Sequence, residues 1–369
     1  MKIAVLGSGM VGAAMALDLA AQHEVNVYDI SEQALMKLQQ RDPRIAITVA
    51  DLKQREKFPV WFSAFDLLLV AVPGFMGFET VKACIGAGKN IVDISFFPEN
   101  ALDLDALARE KGVTVITDCG VAPGMSNYII GRYNEEMTID SFEIYVGGLP
   151  KIRKKPFEYK APYSPVDVIE EYTRPARIME NGHIVVKPAL TEIEKMEFEG
   201  LGALEAFNTD GLRSLLYTMP HILNQKEKTL RYPGHADLII ALREAGFFSE
   251  KPISLSGLHL SPLHFTSQIL FDEWKLGEDE EELTVAKVIL KGEGREVTYD
   301  LLDRYDPATR ISSMSRSTGY VATATVNLLF AGLFTEAGVF PPERVGRHKA
   351  CFDFVIGYLA ERGVNWRKK

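Results

Sequence analysis

Two aspartates stand where apolar runs of the sequence end. Asp93 follows the run in "NIVDIS", and Asp118 follows the run in "VTVITDCG", where a cysteine and a glycine come next. A carboxylate at the end of a buried strand can accept a proton from a bound ligand, or it can cap the loop that follows. The sequence leaves both roles open for each aspartate.

Cys119 and His235 are two further side chains with possible chemistry. A thiolate at Cys119 could attack an aldehyde and form a thiohemiacetal. Free cysteines are more often small buried hydrophobic side chains, so we predict that Cys119 is a bystander. His235 follows Pro-Gly at a predicted helix start, where its ring could act as a base or could cap the helix.

The elements that would position these residues begin with a glycine-rich turn. Residues 2–21 form a predicted strand, a turn with the spacing G-x-G-x-x-G and a predicted helix. The first glycine permits a tight turn, the second lets a pyrophosphate approach the backbone, and the third lets the helix pack on the strand. Free N–H groups at the helix start would hold the phosphates. The predicted dinucleotide contacts here are Gly7, Ser8, Gly9, Met10, Val11 and Gly12.

Asp29 ends the next predicted strand. Its distance from the turn is close to the spacing of about 20 residues expected for a ribose-binding acid. A carboxylate there accepts hydrogen bonds from the ribose hydroxyls and repels a 2′-phosphate, which favours NAD over NADP. Arg41 or Arg44 could still approach a 2′-phosphate, so NADP stays open.

Strands continue to alternate with helices up to residue 124. This order predicts a parallel sheet with right-handed crossovers, and ligands bind beyond the carboxyl ends of such strands. We expect Asp51 on the adenine side and the backbone of Val72 and Pro73 against the cofactor. We expect Asp93 and Asp118 near the nicotinamide, and Ser95 among the cofactor contacts.

The pattern changes after residue 125, where alternating and β-branched runs such as 141–150, 157–163 and 283–305 predict antiparallel strands between helices. The predicted fold class is α/β, with a Rossmann-type parallel-sheet domain and an α+β domain that has a mixed or antiparallel sheet. The first domain comprises residues 1–124 and is completed by helices within 310–369. The second, for substrate binding and oligomerisation, comprises 125–309. We interpret the acid-rich segment 276–283 as a solvated loop and 341–363 as one helix.

Composition narrows the class of protein further. A chain of 369 residues exceeds one ordinary core, and its net charge of −9 argues against a nucleic-acid partner. Three distant cysteines indicate no disulfide framework and a reducing, cytoplasmic compartment. No apolar run reaches the roughly 18 residues of a membrane span, and no signal peptide is visible. Dispersed histidines predict no metal site.

The chain resembles the saccharopine dehydrogenase-like amino-acid dehydrogenases, and within them the lysine 6-dehydrogenases, over nearly its whole length. The glycine fingerprint is shared by many dehydrogenases, whereas "EEYTRPAR" together with "TDGLRS" and "TLRYPGH" is more specific. Cys119 departs from the family, in which alanine is expected. The segments that carry the resemblance are "GSGMVG", "PGFMGF", "VDISFFPEN", "DCGVAPGMSN", "YVGGLPK", "SPVDVIEEYTRPAR", "TDGLRSLL", "TLRYPGH" and "SSMSRSTGY".

This resemblance implies NAD-dependent oxidative deamination of the L-lysine ε-amine. The products would be ammonia and the 6-semialdehyde, which cyclises to a piperideine carboxylate. The resemblance also implies a homodimer or larger homo-oligomer. The alternatives are a saccharopine dehydrogenase or a carboxyspermidine-type dehydrogenase and, from another class, a non-catalytic NAD-binding sensor.

The implied reaction defines what the site must supply. The amine has an ordinary pKa of about 10.4 and must be neutral when hydride leaves, so an apolar pocket or a base has to favour the neutral form. Asp93, Asp118 and His235 are the candidates for that base. Guanidinium groups in the matching segments would bind the substrate carboxylate. The predicted substrate-binding residues are Tyr172, Thr173, Arg174, Arg177, Arg213, Arg231 and Arg316.

Overall fold

The first 116 residues alternate strand and helix as predicted. The computed structural model describes residues 1–277 and 280–369, so residues 278–279 of the predicted loop 276–283 lie outside the described residues. The strands are β1 (Lys2–Leu6), β2 (Glu24–Asp29), β3 (Ala46–Val49), β4 (Leu67–Val70), β5 (Asn90–Asp93) and β6 (Thr114–Ile116). The helices are α1 (Met10–Leu19), α2 (Glu32–Arg41), α3 (Phe58–Trp61), α4 (Gly74–Gly86) and α5 (Asp105–Lys111).

The middle of the chain mixes helices with longer strands. The helices are α6 (Met125–Asn134), α7 (Pro165–Thr173), α8 (Leu215–Thr218), α9 (His235–Glu244) and α10 (Pro262–Trp274). The strands are β7 (Ser141–Pro150), β8 (Ala176–Glu180), β9 (His183–Lys187), β10 (Glu194–Phe198), β11 (Gly202–Asn208), β12 (Asn224–Arg231), β13 (Ile253–Leu255), β14 (Leu258–Leu260), β15 (Glu282–Gly292) and β16 (Arg295–Arg304).

The last part of the chain returns to both sheets. Its elements are α11 (Ser313–Phe330), β17 (Gly338–Phe340), α12 (Pro342–Gly346), α13 (Lys349–Glu361) and β18 (Arg367–Lys368). Strand β17 pairs with β6, and β18 pairs with β16. Helix α11 packs on α1, where a Cβ at Gly319 would lie 3.0 Å from Cγ of Met15. In the described part of the chain, no helix is both long enough and apolar enough to cross a bilayer.

Two local predictions were wrong. Residues 341–363 form two helices, because α12 packs backbone to backbone on α6 and the chain then turns into α13. A Cβ at Gly131 would lie only 2.1 Å from the Glu343 carbonyl oxygen, which shows how closely α6 and α12 approach. Residues 157–163 form no strand, because Tyr159 is buried in a cluster around Trp274 instead of pairing with a sheet.

The first sheet is parallel, in the order β17-β6-β5-β4-β1-β2-β3. The chain runs outward from β1 through β2 to β3, then crosses back to β4 on the other side of β1. The carboxyl end of β1 is therefore the point where strand order reverses, which is where open α/β sheets bind ligands. The glycine-rich turn lies at this point.

The second sheet is mixed, in the order β10-β11-β12-β7-β15-β16-β18. Strand β12 lies in its interior, antiparallel to β11 and parallel to β7. Strands on both sides make β12 an interior strand, and six of its eight residues are buried although its sequence "NQKEKTLR" is strongly polar. The polar side chains of β12 therefore need partners inside the protein.

Candidate active site

One cleft joins the two sheets. It has a volume of about 770 Å³ and runs from the glycine-rich turn after β1 to β12 of the second sheet. Residues that were predicted to bind cofactor line one half, and residues of the second sheet and of α7 line the other. The arrangement can hold a long cofactor next to a small substrate.

The glycine-rich turn has the shape that a dinucleotide requires. Gly7 has φ 113°, and a Cβ there would lie 2.4 Å from the Ala71 carbonyl oxygen. A Cβ at Gly12 would lie 2.2 Å from the Gly7 carbonyl oxygen, so α1 could not pack as closely with a larger residue. Gly9 faces open space and precedes the first turn of α1, whose N–H groups can hold phosphates. The residues present fit a nicotinamide dinucleotide.

Most of the predicted cofactor residues line this half of the cleft. They are Gly7, Gly9, Met10, Val11, Gly12, Asp29, Asp51, Val72 and Pro73. The other three, Ser8, Asp93 and Ser95, are buried beside the cleft. Ser8 contributes indirectly, because its N–H donates to Oδ2 of Asp29 over 2.6 Å.

Asp29 is held rigidly at the end of β2. Its Oδ1 accepts the Ser31 N–H over 2.8 Å, opposite the bond from Ser8. Arg41 donates instead to the Thr309 carbonyl, and Arg44 forms an ion pair with Asp42. Lys53 is the cation that lines this half of the cleft within the described residues.

Asp118 lines the cleft and forms a buried ion pair with Arg213. Its Oδ1 lies 2.7 Å from Nε of Arg213, and the two side chains are 3% and 5% exposed. Arg213 also donates to the Phe97 carbonyl and stacks 4.7 Å from the ring centroid of Phe96. Burial raises the pKa of Asp118, and the guanidinium opposes that shift. The pair joins the first sheet to the loop before α8.

Asp93 is fully buried, and its placement differs from the predicted contact with a ligand. Its Oδ1 accepts the N–H and the hydroxyl of Ser95, over 3.1 and 2.6 Å, while Oδ2 has no partner in the described structure. Burial raises the pKa of Asp93 to about 7. This geometry is that of a carboxyl group which caps the turn after β5.

The Asp93→Asn variant should gain stability relative to the wild type as pH rises. A carboxyl group whose pKa is raised in the folded state stabilises below its unfolded pKa, and that contribution is lost as pH rises through about 7. Urea unfolding at pH 5 and pH 8 measures the effect. An equal difference between variant and wild type at both pH values would contradict it.

His235 lies away from the cleft, although we predicted it as a base. Its ring is 2% exposed, Nδ1 faces the Phe157 carbonyl at 3.0 Å, and Nε2 faces the Tyr172 hydroxyl at 2.9 Å. Burial and the charge of Arg231 lower the pKa of His235 to about 3. A neutral ring with both nitrogens bonded cannot serve the cleft as a base.

Two of the predicted arginines line the cleft. Arg174 pairs with Glu170 and stacks on Phe96, and Arg231 lies 2.9 Å from Oε2 of Glu171. Both arginines can therefore contact a ligand in the cleft while they keep their ion pairs.

The other predicted substrate residues lie outside the lining. Arg177 binds Asp210 through two nitrogens, behind the cleft wall. Arg316 lies on α11 and pairs with Asp303 and Asp306. These ion pairs connect the helix to the end of the hairpin formed by β15 and β16. The Thr173 hydroxyl donates to the Ile169 carbonyl of its own helix. Tyr172 is buried behind Arg231.

Glu227 lines the cleft from β12, although it was not among the predicted site residues. Its Oε2 accepts the Thr209 hydroxyl over 2.7 Å and the Gly211 N–H over 3.1 Å. Burial raises the pKa of Glu227 to about 8, and the Thr209 hydrogen bond opposes the shift. The sequence did contain a pattern that could have indicated this residue, because Gln225, Glu227 and Thr229 occupy every second position of a strand and share one face. Nothing in the sequence showed that this face is buried.

The substrate half of the cleft is rich in acids. Four of them pair with arginines: Asp118 with Arg213, Glu170 with Arg174, Glu171 with Arg231, and Asp210 with Arg177. The other two, Asp167 and Glu227, have no cationic partner in the described part of the chain. Burial raises the pKa of Asp167 to about 6. These two carboxyl groups are suited to bind a cationic ligand.

Cys119 does not take part in this arrangement. It is fully buried behind Asp118, its thiol faces the Ile116 carbonyl at 3.6 Å, and burial raises its pKa. A thiol that resists ionisation is a weak nucleophile.

Comparison with known proteins identifies the family. Residues 3–116 match the Saccharopine dehydrogenase NADP binding domain, and residues 120–364 match the Saccharopine dehydrogenase C-terminal domain. The chain belongs to the saccharopine dehydrogenase family, which confirms the resemblance at that level. The matches name saccharopine dehydrogenase and not lysine 6-dehydrogenase.

Individual relatives are distant and mostly longer. The mitochondrial alpha-aminoadipic semialdehyde synthase of Bos taurus is 27% identical over 265 residues, which are 67% of this chain and 28% of that protein. The NADP(+), L-glutamate-forming saccharopine dehydrogenase of Schizosaccharomyces pombe is 27% identical over 267 residues, 68% of this chain and 58% of that protein. The chain therefore spans under two thirds of each.

A solved structure confirms the predicted fold class. Saccharopine dehydrogenase (L-Glu forming) from Saccharomyces cerevisiae superposes with a TM-score of 0.79 over 100% of this chain and 99% of that chain, at 18% identity. The parallel sheet and the separate mixed sheet are thus the architecture of this family.

Proposed function

We propose that this protein oxidises the side-chain amine of L-lysine with a nicotinamide dinucleotide and releases ammonia. One observation carries the proposal: Asp167 and Glu227 line the substrate half of the cleft without a cationic partner. An ammonium group close to a buried carboxyl group stabilises the ionised form. Lysine has one net positive charge and fits this half better than saccharopine, which has one net negative charge.

Glu227 is the group that moves protons in this proposal. Its carboxylate takes a proton from the ammonium, so that the neutral amine can lose hydride to the bound dinucleotide, which supplies the electron acceptor. Glu227 passes this proton to solvent and then takes one from the water that adds to the resulting iminium. It returns that proton to the nitrogen of the carbinolamine, whose C–N bond breaks as its hydroxyl group loses a proton to solvent, so that the aldehyde forms and ammonia leaves. The bonds from Thr209 and Gly211 hold the carboxylate in place for these transfers. A pKa of about 8 suits a base that works at mildly alkaline pH.

Saccharopine oxidation is the second candidate, and family membership favours it. The two related enzymes from Pyricularia oryzae and Schizosaccharomyces pombe carry the name saccharopine dehydrogenase. That substrate has two carboxylates more than lysine, and each of them would need a further guanidinium donor. Every arginine at this end of the cleft that we describe has a carboxylate partner.

The proposal is tested with NAD, NADP and a panel of L-lysine, L-ornithine, saccharopine and L-glutamate at alkaline pH. Reduced cofactor is followed by absorbance, and ammonia is measured separately. Lysine-dependent reduction with equal ammonia release supports the proposal. Reduction with saccharopine alone replaces it with the second candidate. Cofactor binding without turnover of any of these compounds points to a sensor.

We also propose that NAD is the preferred cofactor. The carboxylate of Asp29 at the ribose end and the engagement of Arg41 and Arg44 elsewhere support NAD. The name of the matched domain, which specifies NADP, favours the other cofactor. Lys53 is the cation that could receive a 2′-phosphate.

Asp29→Ala should shift the preference from NAD toward NADP by about tenfold or more in kcat/KM. The reason is that a hydrogen-bond acceptor for the ribose is lost together with a charge that repels phosphate. Initial rates with each cofactor measure the ratio. Lys53→Ala is the control with the opposite effect on the preference, since it should lower kcat/KM with NADP and leave kcat/KM with NAD unchanged. A wild type that already prefers NADP would overturn the assignment to NAD.

A further inference from the structure

A chain of buried hydrogen bonds leads from His235 to the wall of the cleft. The Phe157 carbonyl accepts the proton on Nδ1 of His235, so Nε2 has a free lone pair and accepts the Tyr172 hydroxyl proton over 2.9 Å. The oxygen of Tyr172 then accepts Nε–H of Arg231 over 3.0 Å. The direction of each bond is fixed, because the Phe157 carbonyl can only accept, the guanidinium of Arg231 can only donate, and His235 and Tyr172 each donate one proton and accept another.

Arg231 is the end of this chain that a ligand can meet. Nη1 donates to the Leu230 carbonyl, and Nη2 donates to Glu171 and, more weakly, to Tyr159. A guanidinium carries five N–H donors. Counting Nε–H, these contacts use four of them within the described structure, which leaves one hydrogen on Nη1. Arg231 is 2% exposed as a residue and lines the cleft, so that hydrogen is a donor fixed in a desolvated position.

Strand β12 also sets the distance between Arg231 and the proton acceptor. Glu227, Thr229 and Arg231 occupy alternate positions of the strand and all line the cleft. Alternate residues face the same side of a sheet, and four residues span about 13 Å of strand. A carboxylate at Arg231 and an amine at Glu227 can therefore belong to one extended amino acid.

We infer that His235 and Tyr172 are positioning residues that orient Arg231 to bind the α-carboxylate of the substrate. This inference rests on the proposed oxidation of a lysine-type amine and deepens it, since it assigns the end of the substrate that does not react. Neither residue touches the substrate. Their effect passes through the single bond to Nε of Arg231.

The test compares L-lysine with 1,5-diaminopentane, which is lysine without its carboxylate. At saturating NAD, Tyr172→Phe should raise KM for lysine about tenfold, because Arg231 loses a hydrogen bond that fixes its plane. KM for 1,5-diaminopentane and kcat for both amines should change less than about twofold. His235→Ala should behave like Tyr172→Phe. His235→Gln should restore KM, because its amide oxygen can accept the same hydroxyl proton.

Tyr145→Phe is the matched control. Tyr145 is a buried tyrosine of β7 whose hydroxyl contacts Glu143 and Glu194, away from the cleft. It should leave both KM values unchanged. Equal changes of KM for both amines in Tyr172→Phe would overturn the inference, because a network that only supports the fold does not distinguish them. A His235→Gln variant no better than His235→Ala would overturn it as well.

A second measurement separates this inference from the proposed function. The ¹⁵N–¹H signal of Arg231 Nε is assigned by its loss in Arg231→Lys. It should be sharp and protected from exchange in the wild type and in His235→Gln, and lost or broadened in Tyr172→Phe. With NAD present, it should shift with L-lysine and not with 1,5-diaminopentane. If no amine is oxidised and these shifts still occur, the proposed reaction fails and the assignment of Arg231 stands; no shift with lysine overturns the assignment itself.

Discussion

Replacing Glu227 with glutamine is expected to lower kcat for lysine oxidation by about 10²–10⁴-fold, the contribution typical of a positioned general base. Glutamine keeps the size of the side chain and can accept the bonds from Thr209 and Gly211, but it cannot take a proton. Steady-state kinetics at pH 9 measure the loss. KM for lysine should also rise, because the variant loses one of the two carboxyl groups that attract the ammonium group, so kcat at saturating lysine is the value that tests the base.

The pH dependence of kcat/KM tests whether Glu227 acts in its ionised form. A base works in its ionised form, so kcat/KM of the wild type should rise with pH until the group with a pKa of about 8 is ionised. The variant should lack that rise. A variant with a wild-type profile would show that another group is the base, and Asp118 would be the next carboxylate to replace.

Glu282→Gln is the matched control for this experiment. Glu282 is also buried with its pKa raised to about 7, but it accepts the backbone N–H groups of Ser313 and Met314 at the start of α11. Its replacement should affect stability and leave kcat per folded molecule unchanged. This control separates a loss of activity that follows from substituting any buried carboxyl group from a loss that follows from removing the base.

Arg213→Met is expected to lower the free energy of unfolding by about 3–5 kcal/mol at neutral pH, because it leaves the carboxylate of Asp118 buried without its partner. The side chains of both residues are almost fully buried, so solvent screens the pair little. Urea unfolding measures the change. The deficit should grow as pH rises, because burial raises the pKa of Asp118 and its ionisation becomes more costly without the guanidinium.

The double variant Asp118→Asn/Arg213→Met should recover part of this loss, since the uncompensated charge is gone. Arg295→Met provides the control at an exposed ion pair with Glu293, where the side chains are 52% and 48% exposed. Exposed pairs contribute about 0–1 kcal/mol. A loss at Arg213 no larger than that at Arg295 would mean that the pair does not hold the two sheets together.

The dinucleotide half of the site could be predicted from the sequence because its requirements are local. A tight turn and a close approach of helix and strand depend on residues within one strand, one turn and one helix, and Gly7 and Gly12 meet them in the structure. Asp29 follows at a spacing that one crossover determines. The alternation of strands and helices likewise predicted the parallel sheet.

The substrate half depends on contacts between distant segments, and there the predictions by residue type were less successful. Arg174 and Arg231 line the cleft, while Arg316 pairs with Asp306 outside the lining, although all three arginines lie in segments that carry the family resemblance. An arginine forms an ion pair with whichever carboxylate the fold brings close to it, and the sequence does not show which carboxylate that will be.

The sequence by itself determined the family, the dinucleotide turn and the acids at strand ends, because these follow from spacing along the chain. Only the tertiary structure decided that β12 is an interior strand, and with it that Glu227 is a buried carboxyl group with a raised pKa. It also decided that His235 is buried away from the cleft, with its pKa lowered. The physical reason is that burial sets the pKa of a carboxyl group or an imidazole, and burial is a property of all the segments that pack around the group.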